Sequence, residues 1–275
     1  MARTILITGC SSVIGLDSAR TLAGRGWRVF ATCRAAEDCD RLRAEGLESF
    51  PLDLADEASV AEAAAEALAR SGGRIDAVFN NGAFAIPGAV EDLPRLAFRS
   101  IFETNLFGHV DLTNRLLPAM RAAGSGRIVF TSSVLGLVAA PWRGAYVATK
   151  FALVGVADTL RLELAGSGIA VVLIEPGPIA TPFRRKSIPH FERYVDWEAS
   201  PHRAAYEATL LRRLYGPAVG DRFERPPSAV TARLVAALDS PRPQARYFVT
   251  TPTHAAGLLR RLLPTAALDR ILRGR

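Results

Sequence analysis

A chain of 275 residues suits one α/β domain better than two, and 49% hydrophobic with 22% charged side chains excludes global disorder. The formal net charge of +7 is compatible with nucleic acid, an anionic membrane surface or a phosphorylated ligand, but no compact Lys/Arg block with interleaved aromatics is present, so nucleic acid ranks last. The three cysteines, Cys10, Cys33 and Cys39, are odd in number, which argues against a disulfide framework and for a reducing compartment.

Thr4–Thr8, a short apolar run leading into Gly9, is too brief for a signal peptide and reads as a first strand. Leu16–Gly24 is helical, with Gly24 and Gly26 closing it. Trp27–Thr32, rich in aromatic and β-branched residues, is the next strand, and Leu47–Leu52 follows. An Ala-rich helix is predicted over Ser59–Arg70, stopped by Gly72 and Gly73. Ile75–Phe79, Arg127–Ser132 and Ile169–Ile174 are further continuous apolar runs. Strands apolar on both faces belong to a parallel sheet covered by helices on each side. The alternation predicts an α/β fold with a doubly wound parallel sheet, three layers deep, and ligands outside the carboxyl ends of the strands. No run approaches the roughly 20 apolar residues of a spanning helix, so a soluble, cytoplasmic protein is expected.

After Pro182 the pattern changes. Phe183–Arg225 mixes Arg, aromatics and Pro without clean periodicity, Ser228–Leu238 is helical again, and Arg246–Thr250 reads as a last strand. Residues 1–275 are therefore expected to form a single domain, with 182–225 as a lid over the substrate and 253–275 as a C-terminal helix. In that last piece leucines alternate with Arg260, Arg261, Arg270 and Arg273. It is read as an amphipathic helix packing on its own domain or on a partner subunit, with weak contact to an anionic membrane surface as the alternative.

Two local patterns carry chemistry. Thr8-Gly9-Cys10-Ser11-Ser12-Val13-Ile14-Gly15 lies between the first strand and the first helix. Glycines there permit a tight turn and close approach of phosphate oxygens to backbone N–H groups at a helix N-terminus, and Ser11 and Ser12 add hydroxyl donors. Taken alone the turn is weak evidence. Tyr146-Val147-Ala148-Thr149-Lys150 is stronger, because residues four apart share a helix face and an ammonium beside a phenol lowers its pKa toward working pH. Ser133, at a strand end ahead of that helix, is placed to hydrogen-bond the same reacting oxygen.

Together these motifs resemble the short-chain dehydrogenase/reductase family from Thr8 to about Thr250. The matching elements come in order: the Gly-rich turn, Asp53-Leu54, Asn80-Asn81-Gly82-Ala83, Asn105, Ser133, the Tyr146/Lys150 pair, and Pro176-Gly177 with Thr181. The resemblance implies a Rossmann-type fold and a role for each residue. Tyr146 would exchange a proton with the substrate oxygen, Lys150 would hold the nicotinamide ribose and depress the Tyr146 pKa, Ser133 would polarise the carbonyl, and Asn105 would seat a water of a proton relay. Gly9, Ser11, Ser12, Ile14, Gly15, Asp53, Leu54, Asn80, Gly82, Lys150, Pro176, Gly177 and Thr181 would line the cofactor. No metal is expected.

Cofactor choice is argued from charge. Relatives specific for NAD usually place a carboxylate at the end of the second strand. Here that strand ends Ala31-Thr32-Cys33-Arg34, and the Arg34 guanidinium suits a 2′-phosphate, which favours NADP(H). Thr8–Ser12, Ala31–Arg34 and Arg246–Thr250 look like the 17β-hydroxysteroid dehydrogenase and retinol dehydrogenase-like branch. A small apolar carbonyl or alcohol substrate is therefore expected, with Leu137, Val138, Trp142 and Phe183 as pocket residues and Phe191, Tyr194 and Trp197 as further candidates for its wall. A homodimer or homotetramer through the helices holding Asn105 and Tyr146 is implied.

The chain departs from the family at Val13, where glycine is usual, and at Gly82-Ala83, which more often occur in the other order. If position 13 needs a positive φ, a branched Cβ there costs affinity. The rival reading is thus a catalytically weakened relative that binds nucleotide or a partner in a regulatory role. An epimerase or dehydratase on nucleotide sugars ranks below both.

Overall fold

The computed structural model describes residues 2–217 and 220–273. In chain order the N-terminal elements are β1 (Thr4–Ile7), α1 (Val13–Gly24), β2 (Arg28–Cys33), α2 (Ala36–Ala44), β3 (Glu48–Pro51), α3 (Glu57–Arg70) and β4 (Ala77–Asn80). Then come α4 (Arg95–Phe102), a π-helical turn at Glu103–Phe107, α5 (Gly108–Ala123), β5 (Gly126–Thr131), α6 (Gly144–Glu163) and β6 (Ile169–Glu175). The C-terminal part holds α7 (Phe183–Lys186), α8 (Ile188–Tyr194), α9 (Arg203–Ala205), α10 (Leu211–Tyr215), α11 (Ser228–Asp239), β7 (Arg246–Phe248), α12 (Thr251–Leu262) and α13 (Thr265–Arg273).

The seven strands form one sheet in the order β3-β2-β1-β4-β5-β6-β7, every adjacent pair parallel. Side chains alternate between its faces, and both faces are apolar. Leu6, Phe30, Val78, Ile128, Phe130, Val171 and Leu173 pack under α3, α5 and α6. Ile5, Ile7, Val29, Ala31, Ala77, Phe79, Val129, Val172 and Ile174 pack under α1, α2 and α11. The strand order reverses between β1 and β4, which opens a crevice at their carboxyl ends.

Several boundaries shift for local reasons. β1 stops at Ile7, because Thr8 turns its hydroxyl to accept hydrogen bonds from the Asn81 and Gly82 N–H groups at 2.9 and 3.0 Å. The Ala-rich helix starts at Glu57, two residues earlier than the periodicity suggests, because the Asp56 carboxylate caps it by accepting from the Ala58 N–H. The last strand is shorter than Arg246–Thr250, since Thr250 becomes the residue that begins α12.

The C-terminal piece is two helices rather than one. Leu263, ahead of Pro264, is extended, as a residue preceding proline prefers to be. Leu268 and Leu272 of α13 turn inward onto Leu137, Val138 and Ala256, while Leu258, Leu262 and Ile271 face outward. No described helix is long and apolar enough to cross a membrane.

Among the described residues, the region expected to be irregular carries the short helices α7 and α8 and a run from α9 through a π-helical turn at Tyr206–Leu210 into α10, and it ends where it began. Ala180 N–H donates to Arg225 O at 2.9 Å and Arg225 N–H to Pro178 O at 3.2 Å, so residues 180–225 leave and rejoin the domain at one point.

Candidate active site

The turn after β1 is built on glycines that leave no space for a side chain. Gly9 has φ of +72°, and a Cβ there would lie 2.9 Å from the Gly82 Cα. A Cβ on Gly15 would sit 2.3 Å from the Gly9 carbonyl oxygen, so both positions exclude side chains. The Gly9–Gly82 approach excludes a side chain at Gly9; a Cβ on Gly82 would meet the Leu54 side chain at 3.1 Å and the Gly9 nitrogen at 3.7 Å. Val13 takes φ of +52°, the left-handed region that favours glycine. Ser11, Ser12, Val13 and Ile14 are all partly open to solvent along this turn.

Opposite the turn, Ser133 follows β5 and begins a short 3₁₀ turn at Val134–Gly136, its hydroxyl accepting from the Leu135 N–H at 3.1 Å. Tyr146 and Lys150, four apart on α6, share a face and are both buried. The Lys150 Nζ lies 5.5 Å from the Tyr146 ring centroid and donates to the Thr131 carbonyl at 2.8 Å. Ser133, Tyr146 and Lys150 therefore converge at the carboxyl end of β5, beside the crevice.

The electrostatics differ from the expectation that Lys150 depresses the phenol. Burial pushes Tyr146 up to about 12, against the hydrogen bond to Ser133 and the charge of Arg143, which pull it down. Burial pushes Lys150 down to about 7. Burial is the largest influence on both groups, and it favours the protonated phenol.

Asn105 sits in the π-helical turn, completely buried. Its side-chain oxygen accepts from the Phe84 N–H at 3.1 Å, and its amide donates to the Phe84 carbonyl at 2.9 Å and to the Thr149 hydroxyl at 3.3 Å. The carboxamide is thus occupied in clamping the segment after β4 to α6. Any water on a relay would have to use the backbone of this turn, where i→i+5 bonding displaces the usual carbonyl partners.

His109, one turn beyond Asn105, was not singled out by the motifs, although the four-residue spacing puts it on the same face. Its Nε2 lies 2.6 Å from the Gly82 carbonyl and its Nδ1 3.2 Å from the Asn80 side chain. A carbonyl only accepts, so Nε2 carries the proton and Nδ1 accepts. The network is complete when Asn80 presents its amide nitrogen to Nδ1 and its oxygen to the Thr113 hydroxyl. Burial, then the Lys150 charge, pushes His109 down to about 3. Because the folded pKa is below the ordinary 6.5, the stability it carries is present above pH 6.5 and lost as pH falls toward 3. Between pH 7 and 4 the melting temperature of the wild type is expected to fall more steeply than that of His109→Gln; equal slopes would contradict the buried neutral ring.

The remaining motif residues fall into two groups. Asp53 and Leu54 lie past β3, where the Asp53 carboxylate accepts from the Ala55 N–H and the Leu54 side chain comes 3.1 Å from where a Gly82 Cβ would be. Pro176, Gly177 and Thr181 follow β6; a Cβ on Gly177 would meet the Thr250 hydroxyl at 2.2 Å, so this loop packs against the start of α12. Arg34 is exposed just past β2. Of the acidic residues that follow, Asp38 pairs with Arg41, Asp40 with Arg43 and Glu45 with Arg20, while Glu37 makes no ion pair among the described residues.

The expected pocket residues are split. Trp142 and Phe183 join the cluster that contains Tyr146, Phe191 and Tyr206, with the Phe183 ring edge-on to Tyr146 at 5.5 Å. Leu137 and Val138 are 7% and 6% exposed and packed under α12 and α13. Trp142 has φ of +64°, held by the Gly88 N–H donating to its carbonyl at 3.1 Å and by its ring against Tyr206 at 4.7 Å. Tyr206, unremarkable in the sequence, is buried; its hydroxyl donates to Asp92 at 2.7 Å and so ties the segment after β6 to the turn at Val90–Asp92.

The chain is similar to known proteins over most of its length. The family described as short chain dehydrogenase matches residues 3–191. The uncharacterized oxidoreductase YbbO of Escherichia coli (strain K12) is 41% identical over 274 residues, covering 100% of this chain and 95% of that protein. Human 17-beta-hydroxysteroid dehydrogenase type 1 is 36% identical, covering 91% of this chain and 78% of its own. A short-chain dehydrogenase from Streptomyces avermitilis superposes with a TM-score of 0.78 at 30% identity, over 98% of this chain and 93% of that one. The chain belongs to the short-chain dehydrogenase/reductase family, on the branch of the hydroxysteroid and retinol dehydrogenases, and is an oxidoreductase of that family.

Proposed function

We propose that this protein is an NADP(H)-dependent oxidoreductase that interconverts a ketone or aldehyde and an alcohol on a small apolar substrate. The observation that carries this reading is the convergence of Ser133, Tyr146 and Lys150 beside a glycine turn with no room for side chains. Gly9, Ser11, Ser12, Ile14 and Gly15 would hold the pyrophosphate, Asp53, Leu54, Asn80 and Gly82 the adenosine half, and Lys150, Pro176, Gly177 and Thr181 the nicotinamide half. The nicotinamide, when bound, supplies or accepts the hydride.

The chain's own residues position the oxygen and move the proton. The Ser133 hydroxyl donates to the substrate oxygen and orients it. The Tyr146 phenol, protonated at neutral pH, donates its proton as the carbonyl is reduced. Lys150, held against the Thr131 carbonyl, restores charge balance from behind the ring. The aromatic cluster of Trp142, Phe183 and Phe191 favours an apolar substrate body. A second copy of the chain is proposed to pack on α5 and α6, near the half-exposed Phe107 and the exposed Leu162.

Preference for the phosphorylated cofactor rests on Arg34. A guanidinium–phosphate fork contributes about 1.5–3 kcal/mol, so Arg34→Ala is expected to weaken NADPH binding by roughly 10- to 100-fold and leave NADH unchanged. Titration of both nucleotides by fluorescence, followed by turnover with a panel of apolar ketones and aldehydes, tests the reading. Equal loss for both nucleotides would remove Arg34 from the 2′-phosphate site, and no nucleotide binding by the wild type would refute the function.

A further inference from the structure

Within the turn from Thr8 to Gly15 there is no cationic side chain. Backbone N–H groups and a helix N-terminus favour an anion, yet a pyrophosphate brings charge that such a turn only partly offsets. Two cations reach the turn from outside it: Arg41, whose guanidinium donates to the Ser11 carbonyl at 2.8 Å and is already paired with Asp38, and a lysine of the lid. Lys186 Nζ donates to the Ser12 hydroxyl at 2.7 Å, between residues 174 apart in the chain. Ser12 stands at the N-cap of α1, but its side chain makes no capping hydrogen bond, so its hydroxyl is free to take this partner.

The element that carries Lys186 is α7, a single helical turn of Phe-Arg-Arg-Lys. Three residues before Lys186, the Phe183 ring lies edge-on to Tyr146 at 5.5 Å. One short helix therefore touches the catalytic phenol at one end and the phosphate turn at the other. One turn further, the His190 ring stacks on Phe84 with centroids 4.2 Å apart and planes inclined by 24°. Phe84 is the residue whose backbone Asn105 clamps. Burial, then the charges of Arg34 and Arg193, holds His190 below its ordinary value, so the stacked ring favours its neutral form.

We infer that Lys186 is a lid-borne ligand of the cofactor pyrophosphate, exchanging the Ser12 hydroxyl for a phosphate oxygen and thereby tying the α7–α8 lid, with Phe183, over Tyr146. This rests on the dinucleotide-binding reading above. It assigns the lid a function in binding beyond shaping the pocket: nucleotide arrives first, and the lid it holds down completes the wall against which the carbonyl substrate is placed.

The test separates this inference from the reading it depends on. Both nucleotides share the pyrophosphate, so Lys186→Gln is expected to raise Kd for NADPH and NADH alike by about tenfold, the loss of one charge-assisted hydrogen bond. Lys186→Arg keeps both within about threefold, since the charge remains. Arg34→Ala, by contrast, affects NADPH alone. A second readout follows the lid directly: nucleotide slows tryptic cleavage after Arg184 and Arg185 in the wild type and fails to do so in Lys186→Gln. If Lys186→Gln binds both nucleotides as the wild type does and remains protected, the lid ligand is refuted while the cofactor site stands. If the wild type itself binds neither nucleotide, both fall.

Discussion

Tyr146→Phe is expected to lower kcat/KM for carbonyl reduction by about 10²- to 10⁴-fold, the usual contribution of a positioned proton donor. The substitution deletes one oxygen from a buried ring and leaves the packing of Phe183 against it, so nucleotide affinity and melting temperature should hardly change. Turnover equal to that of the wild type would remove Tyr146 from the acid/base role. The direction of the pH dependence follows from the phenol being pushed up to about 12. Protonated at neutral pH, it is ready to donate in reduction and must first lose its proton to assist alcohol oxidation. The oxidation rate is therefore expected to rise with pH through the alkaline range, by up to tenfold per unit, while reduction varies much less. An inflection near neutrality would report Lys150, which burial pushes down to about 7. An oxidation rate that is flat between pH 7 and 10 would contradict a buried phenol as the base.

Val13→Gly is expected to stabilise the protein. A left-handed backbone costs an L-residue about 1–2 kcal/mol, most for a β-branched one, and glycine adopts it without that penalty. Glycine gives back roughly 0.5–1 kcal/mol through its greater freedom when unfolded, so the net gain is about 1 kcal/mol. For a chain of this size that is about 2–4 °C in Tm. The effect on nucleotide affinity separates the two functional readings. If the Val13 side chain stands clear of the phosphate, strain is relieved equally with and without nucleotide and affinity is unchanged, as a working enzyme requires. If the branched Cβ blocks the turn, Val13→Gly restores binding that the wild type lacks, and the protein is a weakened relative. A Tm that stays level or falls would mean Val13 does not bear the left-handed strain its φ of +52° implies.

Both experiments address positions that the motifs pointed to and whose energetics they did not supply. The Tyr146/Lys150 spacing placed both groups on one helix face, correctly, because a period of 3.6 is a local property of the chain. It also suggested that the ammonium lowers the phenol; the folded chain adds burial of both groups, which pushes Tyr146 up and Lys150 down. Likewise the substitution at Val13 was visible as a departure from a pattern, but only the folded turn shows that the position is left-handed.

What the sequence determined by itself is the set of strands, several of the helices between them, their parallel alternation, the glycine turn and the order of the motif residues. These are written in periods of 2 and 3.6 and in turn chemistry, all within a few neighbours along the chain. What only the tertiary structure decided lies between distant segments. Lys186 on Ser12, His190 on Phe84, His109 under Gly82 and Tyr206 on Asp92 join parts of the chain with no shared periodicity. The leucine–arginine pattern of 253–275 reads as one helix where the fold breaks it at Pro264, and it does not foretell the burial of Leu137 and Val138 beneath α13. The physical reason is common to all of them. Backbone conformation follows largely from adjacent residues, whereas burial, and with it pKa, hydrogen-bond partner and the wall a substrate meets, depends on which remote side chains the fold brings into contact.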